Sequence, residues 1–446
     1  MNTMTETQVR LFASPQSWME GEAVRQLYAT AKLEGVRLVV GFPDLHPGKG
    51  TPVGAAIVTD GAIYPHLIGG DIGCGMALFK TDLVRRGAPL DRWAEKFFHL
   101  EHPWDEDIGS FLAEHDLEFT EFDAALGTIG GGNHFAELQA VEEILQAGEF
   151  RKLGLDQQQL VVLVHSGSRG LGESVLRAHT DQHFGEGVEA DSFAAEEYLR
   201  GHDLAVRWAR ANRELIVRRF AVALGAETER LWDGCHNSIT PSPRSSLRKE
   251  NQNLAKGRRE ARERAGKDGF HSVPNGLKKE WDGVESVLTV PWQARTSVGS
   301  HGAVEAWEEE MSLLTSAATW IHRKGAVATD SEFVVIPGSR GSLSYLVKPM
   351  GDGESHAWSL AHGAGRKWGR SEARLRMRER FGRHQLVQTP LGGRVVCEER
   401  DLLYEEAPAA YKNIEAVIQD LVDSGLVSVI ATFRPLLTYK TRKLHR

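Results

Sequence analysis

The sequence has little cysteine, no long apolar run and no excess of positive charge. Its 446 residues include only 3 cysteines, Cys74, Cys235 and Cys397, and these form no CxxC pair. No disulfide framework is therefore indicated, and a reducing compartment is expected. No run approaches the ~18 apolar residues of a membrane span, and the first residues, MNTMTETQVRLF, lack the charged start and apolar centre of a signal peptide. We expect a cytoplasmic protein with no membrane association.

The net charge of −8 argues against the overall basic field of a protein that coats nucleic acid irrespective of sequence. A local basic groove stays compatible with this charge. Apolar residues make up 41% of the chain and 11 tryptophans are present, which is typical of a folded globular protein. The 46 glycines exceed the usual ~7% and cluster in short runs, which indicates binding loops built from backbone.

The alternation of strand and helix patterns, without an internal repeat or a long linker, predicts one large α+β domain over residues 1–446. Residues 240–313 form a polar, partly basic stretch that we interpret as an insertion within this domain. The predicted strands are 36–40, 55–58, 63–68, 160–164 and 427–433, and the predicted helices are 18–33, 196–224 and 414–421. A helical pattern is also expected through 141–145, and Asp44, His46 and Lys49 are expected on a loop.

The segment GGDIGCGM, residues 69–76, places a carboxylate (Asp71) and a thiol (Cys74) three positions apart among glycines. Glycine allows the backbone to turn tightly or to approach a ligand, and a thiolate beside a cation is deprotonated and fixed. Two anionic ligands could thus reach one ion. A glycine-rich strand end with a buried free cysteine explains the segment equally well when it is taken alone.

Four histidines, His134, His165, His236 and His362, stand beside Gly, Ser or Asn instead of within apolar stripes. A single histidine is more often a packing residue than a ligand. Four such residues with Asp71 and Cys74 could hold two divalent ions bridged by the thiolate, and the ligand types permit Zn, Fe or Mn.

Three glycine-rich segments, GGGNHF, PGSRGS and HGAG, could cradle phosphates with backbone N–H groups. Arg169, Arg366 and Arg370 could neutralise the phosphates, including those of RNA. Paired ions commonly act as a clamp on phosphoryl oxygens. The residues alone therefore predict a dinuclear metalloenzyme that handles a phosphate ester or a nucleotide.

The ordered motifs PDLHPGKG, GGDIGCGM, GTIGGGNHFAEL, HSGSRG, CHN, HRKGA, IPGSRGSLSY and HGAGR resemble the RtcB family of RNA-splicing ligases. The resemblance runs from about residue 41 to residue 440. It implies an RtcB-like α+β fold whose strand-rich core surrounds a dinuclear metal site. It also implies a ligase that uses GTP and two Mn²⁺ ions to join RNA 2′,3′-cyclic phosphate or 3′-phosphate ends to 5′-hydroxyl ends, in RNA repair or tRNA splicing.

The resemblance also assigns residues. It makes His362 the nucleophile that carries GMP, with Asp44 orienting its ring. The implied metal ligands are Asp71, Cys74, His134, His165 and His236, with Cys74 shared by both ions. The implied guanylate pocket comprises Asn133, His134, Phe135, Ala136, Glu137, His236, Asn237, Pro337, Gly338, Ser339, Arg340, Ser344, His362, Gly363, Ala364, Gly365 and Lys440.

Two departures from the family pattern concern the substrate. PGSR replaces the usual PGSM, so Arg340 puts a cation near the guanine pocket, and the insertion after CHN is longer than usual. Its basic part is hypothesised to contact RNA. The alternatives are a dinuclear cyclic phosphodiesterase that does not ligate and a non-catalytic RNA- or ribosome-binding paralogue. A protein activator or a release-factor-like partner is a further candidate partner.

Overall fold

The computed structural model describes residues 7–97, 100–104, 106–243 and 319–442. The strands are β1 (Gln8–Leu11), β2 (Val36–His46), β3 (Val53–Asp60), β4 (Ala62–Ile63), β5 (Gly75–Val84), β6 (Phe135–Ile144), β7 (Gln159–Ser166), β8 (Val188–Glu189), β9 (Thr228–Cys235), β10 (Asn237–Pro241), β11 (Thr319–Lys324), β12 (Ala326–Ala328), β13 (Val334–Pro337), β14 (Ser344–Pro349), β15 (Ser359–Ala361), β16 (Arg394–Cys397) and β17 (Val427–Thr441).

The α-helices are α1 (Gly21–Thr30), α2 (Leu90–Lys96), α3 (Ile108–Glu114), α4 (Ala147–Lys152), α5 (Gly170–His183), α6 (Phe193–Leu224), α7 (Arg370–Arg380), α8 (Arg383–Leu386), α9 (Arg400–Glu405) and α10 (Ile414–Asp423). Short 3-10 turns lie at Pro65–Leu67, Asp123–Ala125, Glu354–His356 and Pro408–Ala410. None of the helices in the described ranges is long and apolar enough to cross a membrane.

Two large sheets organise the described residues. The first has the order β1-β2-β3-β11-β10, and the second has the order β13-β14-β17-β6-β7-β5-β9 with β16 added beside β17. In the second sheet, β6, β7, β5 and β9 pair antiparallel in that order. Strand residues alternate between the two faces of a sheet, so each of these strands contributes to two different cores.

Because side chains alternate between the two faces of each sheet, both sheets pack against a neighbour on each side, and the fold consists of layers. One core packs the first sheet against the second and includes Val40 and Phe42 of β2 with Met76 and Leu78 of β5. The other face of the second sheet, including Phe79, packs on α2 and α6. The other face of the first sheet packs on α1. The predicted α+β, strand-rich architecture is confirmed by this mixed arrangement.

Helix α6 is the long helix that the sequence predicts over 196–224. It begins after Ser192, whose side chain accepts a hydrogen bond from the backbone N–H of Ala195, and it ends at Gly225 with φ of 70°. A stripe at helical spacing, including Trp208, Ile216 and Phe220, is buried. The helix therefore lies firmly against the second sheet.

Several sequence expectations are corrected. The helical pattern expected at 141–145 is wrong, because β6 continues to Ile144, and the strand expected at 63–68 is mostly a 3-10 turn. Asp44 and His46 lie within β2 and not on a loop. The helix expected at 18–33 is shorter, spanning Gly21–Thr30. Most of the insertion predicted at 240–313 lies outside the described residues.

Candidate metal and nucleotide site

The candidate metal ligands lie close together because they stand at or beside the ends of four neighbouring strands, β6, β7, β5 and β9, at the same end of the second sheet. Gly75, next to Cys74, pairs with Ser166 of β7 and with Cys235 of β9. His165 pairs with Phe135 at the start of β6. Cys74, His134, His165 and His236 are therefore brought together by strand register, although they are far apart in sequence.

The ligand atoms form two groups that share Cys74. Asp71, Cys74 and His134 offer atoms within 4.8 Å of one another, and so do Cys74, His165 and His236. The Cys74 sulfur lies 3.5 Å from His134 Nε2 and 3.3 Å from His165 Nε2. Asp71 Oδ2 lies 3.1 Å from His134 Nε2. One thiol, one carboxylate and three imidazoles at these spacings fit a pair of divalent ions.

Burial sets the protonation of this cluster. It lowers the pKa of His165 and of His236 well below the ordinary value, and neighbouring histidines lower each further. Both rings are therefore neutral, which is the form that binds metal. Burial and the Asp71 charge raise the pKa of Cys74. Burial acts to raise the pKa of Asp71, but the charge and hydrogen bond of His134 outweigh it and the net shift is downward.

A fully buried arginine from α6 holds the segments that carry the ligands. Arg213 Nη1 donates to the carbonyls of Gly73 and Ser166, each at 2.9 Å. Its Nε and Nη2 donate to the carboxylate of Asp233 at 2.8 and 2.7 Å. One guanidinium thus ties together the chain beside Cys74, His165 and His236.

Asn212, the polar member of the α6 stripe, has the partners that its buried position requires. Its Oδ1 accepts from the Gly127 N–H at 2.7 Å. Its Nδ2 donates to Ser166 Oγ at 3.1 Å and to the Gly167 carbonyl at 3.2 Å. Because Gly127 begins the loop that leads to His134, Asn212 joins this loop to the end of β7.

His362 lies beside the cluster and is oriented by Asp44. Its Nδ1 is 2.7 Å from Asp44 Oδ2, and its backbone N–H donates to the same oxygen at 3.2 Å. Its ring centroid lies 4.7 Å from that of His236. Because the buried carboxylate accepts from Nδ1–H, the lone pair is left on Nε2. This is the arrangement of an imidazole nucleophile or base.

Backbone contacts fix the position of Asp44. The Lys412 ammonium donates to the carbonyls of Pro43 at 2.9 Å and Leu45 at 2.6 Å, on either side of Asp44. Gly365, with φ of 71°, approaches so closely that a Cβ there would lie 2.2 Å from the Asp44 carbonyl oxygen. Glycine is required at this position for both reasons.

A cavity of about 690 Å³ opens beside His362. Among the sequence-predicted residues, its lining contains Asn133, Phe135, Glu137, His165, Pro337, Gly338, Ser339, Arg340, His362, Gly363, Ala364, Gly365, Arg366, Arg370 and Lys440. His46 and Lys49 also line it, and burial lowers the pKa of His46 to about 4. The cavity therefore joins the candidate nucleophile to the glycine-rich PGSR and HGAG turns.

Some predicted pocket residues lie elsewhere. Ala136 packs into the core between the second sheet and α6. Asn237 Nδ2 donates to the Asp71 carbonyl at 3.1 Å, and its Oδ1 accepts from the Gly325 N–H at 2.9 Å. Ser344 accepts from Gln139 Nε2 at 2.9 Å. In the structure these three residues support the cavity wall and the metal-ligand loop and do not line the cavity.

Two buried carboxylates face the cavity in contrasting states. Burial raises the pKa of Glu137 to about 7, although Thr438 and Gln139 donate hydrogen bonds to it. For Glu406, burial also acts upward, but the charges of Lys440 and Arg366 outweigh it and its pKa is lowered. Glu406 is therefore ionised, whereas Glu137 titrates near neutral pH.

The tentative phosphate-binding arginines differ in availability. Arg366 Nη1 donates to Glu406 at 2.9 Å, and its Nη2 donates to the Glu405 carbonyl at 2.8 Å. Arg370 lines the cavity without an ion-pair partner among the described residues. Arg169 lies close to Gly130 and has φ of 53° at the start of α5. Such a backbone conformation is costly for a residue with a side chain and is concentrated at functional sites.

Arg340 is buried in the cavity wall with most of its hydrogen-bonding capacity unused. Its Nη2 donates to the Leu403 carbonyl at 2.8 Å. Its Nε and Nη1 have no hydrogen-bond partner in the described part of the chain. Burial lowers the pKa of this guanidinium. Two buried donors are therefore available to an acceptor in the cavity.

Comparison with known proteins identifies the class. The family model for "tRNA-splicing ligase RtcB" matches residues 26–103, 112–242 and 290–441. The chain belongs to the RtcB family, and the resemblance proposed from the motifs is confirmed. The family is metal-dependent, which agrees with the two groups of potential ligands.

Particular relatives span nearly the whole chain. RNA-splicing ligase RtcB2 of Escherichia coli ATCC 25922 is 38% identical over 96% of this chain and 94% of its own length. The tRNA-splicing ligase RtcB of Nanoarchaeum equitans is 26% identical over 91% of this chain and 88% of its own. RNA-splicing ligase RtcB of E. coli K12 is 25% identical, covering 95% of each chain.

Proposed function

We propose that this chain is a GTP-dependent RNA ligase of RNA repair or tRNA splicing. It joins RNA 2′,3′-cyclic phosphate or 3′-phosphate ends to 5′-hydroxyl ends through a GMP adduct on His362. The names of its relatives support RNA ligation in general. The observation that carries the more detailed proposal is the His362–Asp44 pair, which stands between the metal-ligand cluster and a cavity of nucleotide size.

The geometry of His362 suits attack on the α-phosphorus of GTP. Asp44 holds the proton on Nδ1, so Nε2 can form the N–P bond as the P–O bond to pyrophosphate breaks. The imidazolium that develops is stabilised by the buried carboxylate. Asn133, Phe135 and the 337–340 and 363–365 turns line the space that the guanylate would occupy.

The remaining steps pass the guanylyl group to RNA. Water first attacks the cyclic phosphate, and the P–O2′ bond breaks to give a 3′-phosphate and a 2′-hydroxyl. An oxygen of this 3′-phosphate then attacks the GMP phosphorus as the N–P bond to His362 breaks. The 5′-hydroxyl then displaces GMP and forms the phosphodiester. Arg370, which lines the cavity without an ion-pair partner among the described residues, compensates the phosphate charge, and Lys440 and Arg366, which share the carboxylate of Glu406, add to it.

Asp71, Cys74, His134, His165 and His236 would hold the metal ions, for which we propose two Mn²⁺. When bound, such ions neutralise charge on phosphoryl oxygens and orient them for in-line displacement. The donor set fits this purpose, because it offers two three-residue groups that share one thiol.

The test is intact-protein mass after incubation with GTP and Mn²⁺. We expect a gain of one GMP in the wild-type chain and in His384→Ala, an exposed histidine outside the cavity. No gain is expected in His362→Ala, and peptide mapping should place the adduct on His362. ATP in place of GTP tests the base preference.

The outcomes separate the proposal from its alternatives. An adduct on His362 together with sealing of RNA ends supports ligation. Opening of cyclic phosphates without an adduct would instead favour a metal-dependent phosphodiesterase. RNA binding with neither reaction would favour a non-catalytic paralogue or dependence on a protein activator.

A further inference from the structure

A second cavity, of about 560 Å³, lies at the far end of α7, and half of its eight lining residues are arginines. Four of its residues are Arg378, Arg380, Arg383 and Arg400, and only one carboxylate, Glu379, shares the lining. Such local positive charge is unusual in a chain whose net charge is −8. We name this feature the arginine cavity.

Three of these arginines are not neutralised by the protein. Arg378 pairs with Asp401 of α9. In the described part of the chain, Arg380, Arg383 and Arg400 have no ion-pair partner, and all three are exposed. Like charges gathered around one depression repel one another unless an anion lies between them. The arrangement therefore favours a ligand with several negative charges.

Two aromatic residues support the arginines of this depression. Phe381 and Tyr404 line it, with Arg380 lying 5.9 Å from the Phe381 ring centroid and Arg378 5.7 Å from that of Tyr404. Tyr404 is only 4% exposed, and Phe381 packs against the same hydrophobic cluster, so the rings position the guanidinium groups and are not open to bases. Three separate unpaired guanidinium groups suit several phosphates of one strand better than a single free phosphate.

Helices α7 and α9 connect the arginine cavity to the 690 Å³ cavity beside His362, which we name the catalytic cavity. They run antiparallel: Arg378, near the end of α7, pairs with Asp401 at the start of α9, whereas Arg374, one turn earlier, lies 3.6 Å from Glu405 at the end of α9. Arg370 at the start of α7 lines the catalytic cavity, whereas Arg380 at its end lines the arginine cavity. At 1.5 Å per residue, an 11-residue helix spans about 16 Å.

We propose that the arginine cavity binds the phosphodiester backbone of the RNA strand that leaves the catalytic cavity. At ~3.4 Å per stacked nucleotide, 16 Å corresponds to roughly five nucleotides from the reacting end. The inference rests on the proposed ligase function and adds the course of the substrate over the surface. The arginines contact backbone and not bases, so binding here is independent of sequence.

The test compares two triple variants by fluorescence anisotropy with labelled 3′-phosphate RNAs of 2 to 12 nucleotides. Arg380→Ala/Arg383→Ala/Arg400→Ala removes the unpaired arginines of the cavity. Arg86→Ala/Arg92→Ala/Arg151→Ala removes the same charge from exposed arginines elsewhere. Each lost phosphate contact should reduce the slope of log K against log salt by about 0.7, so the cavity variant should lose about 2.

We expect wild-type affinity to rise with RNA length up to about six nucleotides, and the cavity variant to lack the gain beyond about four. The control variant should behave like the wild type. A lysine version, Arg380→Lys/Arg383→Lys/Arg400→Lys, keeps the charge and should recover most of the affinity. Cavity and control variants with the same Kd, salt slope and length dependence would overturn the inference.

GMP loading, measured in the same samples, separates this inference from the proposed function. Formation of the GMP adduct does not require RNA. A variant that forms the adduct but binds long RNA weakly is therefore defective in the surface that binds RNA. A wild type that neither loads GMP nor seals RNA would count against the ligase function of the isolated chain, whatever the RNA affinity of the cavity variant. A wild type that ligates while the cavity variant binds RNA normally would refute only the RNA path.

Discussion

Glu137 shows how a single buried side chain makes the stability of the fold depend on pH. Its pKa is raised by burial from 4.5 to about 7. A carboxyl group whose folded pKa is raised contributes stability that is present below its unfolded pKa and is lost as the pH rises toward the folded value. The loss for Glu137 therefore falls between pH 4.5 and 7.

We predict that Glu137→Gln removes this dependence. Between pH 4.5 and 7, the free energy of unfolding of the wild type should fall by about 3 kcal/mol relative to the variant. Urea titrations of the nucleotide-free proteins at several pH values measure this difference. Glu143→Gln, at an exposed position of the same strand, should track the wild type. Parallel pH profiles for Glu137→Gln and wild type would contradict the prediction.

Arg340→Met is predicted to change stability and binding in opposite directions. The substitution removes a buried guanidinium with two unused donors, so unfolding of the nucleotide-free chain should require about 1–2 kcal/mol more free energy. The same donors are available to the bound nucleotide, so the Kd for GTP should rise on the order of tenfold. Thermal unfolding and calorimetric titration test both parts. A variant that loses stability would show that the Leu403 contact dominates.

At the scale of elements, α6 supports the site from behind. Arg213 and Asn212 are neighbours on this helix, and their hydrogen bonds reach the chain beside Cys74, His134, His165 and His236. Asn212 stands out in the sequence because it is a polar residue at helical spacing with Trp208, Ile216 and Phe220. Nothing in the helical pattern separates Arg213 from an ordinary surface arginine, since its importance arises only when α6 packs on the sheet.

We predict that Arg213→Met lowers the free energy of unfolding by about 3–5 kcal/mol, because the largely buried Asp233 loses its bidentate partner and the carbonyls of Gly73 and Ser166 lose a buried donor. The matched control is Arg210→Met, which removes a half-exposed arginine 3.6 Å from the same carboxylate and should cost less than about 1 kcal/mol. Denaturant titration measures both variants. Manganese affinity should also fall in Arg213→Met. Similar losses of unfolding free energy in the two variants would show that Arg213 does not hold the ligand-bearing segments together.

The helices and strands could be predicted from the sequence where the apolar pattern within the segment itself determines its conformation. The strand at 160–164 and the helices at 196–224 and 414–421 follow from apolar runs and periodicity. Strand β6 was misassigned at 141–145 because Val141, Ile144 and Leu145 fit a helical spacing. Pairing of residues 141–144 with β17 decides their conformation instead. Such pairing is not encoded near the strand.

The candidate site was predictable for a different reason. Its ligands are residue types with strong chemical preferences, placed beside glycines, and the motif order identifies the family. Residues that act through backbone carbonyls, such as Arg213 and Lys412, could not be found this way. Their partners are main-chain atoms, which leave no trace in sequence spacing.

At the scale of the whole molecule, a long segment of sequence separates β10, which ends at Pro241, from β11, which begins at Thr319. Ser242 N–H donates to the Thr319 carbonyl at 2.9 Å, and the two strands are neighbours in the first sheet. The family match is also interrupted between residues 242 and 290. A short loop could therefore replace residues 244–318 without disturbing the strand pairing.

We predict that replacing 244–318 by a short Gly-Ser linker leaves thermal unfolding and GMP loading close to those of the wild type. If the basic stretch within 241–279 contacts RNA, the salt dependence of RNA binding should weaken in this variant. Anisotropy titrations at several salt concentrations provide the measurement. An unchanged salt slope would remove the stretch from the RNA-binding surface.

The candidate metal ligands lie at the ends of four different strands, and this placement also affects how the chain folds. Cys74 and His236 are 162 positions apart, and the two candidate ligand groups that share Cys74 are complete only after β5, β6, β7 and β9 have paired. Contacts this distant in sequence form slowly, and the complete ligand set does not exist in the unfolded chain. Manganese is therefore expected to bind late in refolding, so it slows unfolding more than it speeds folding.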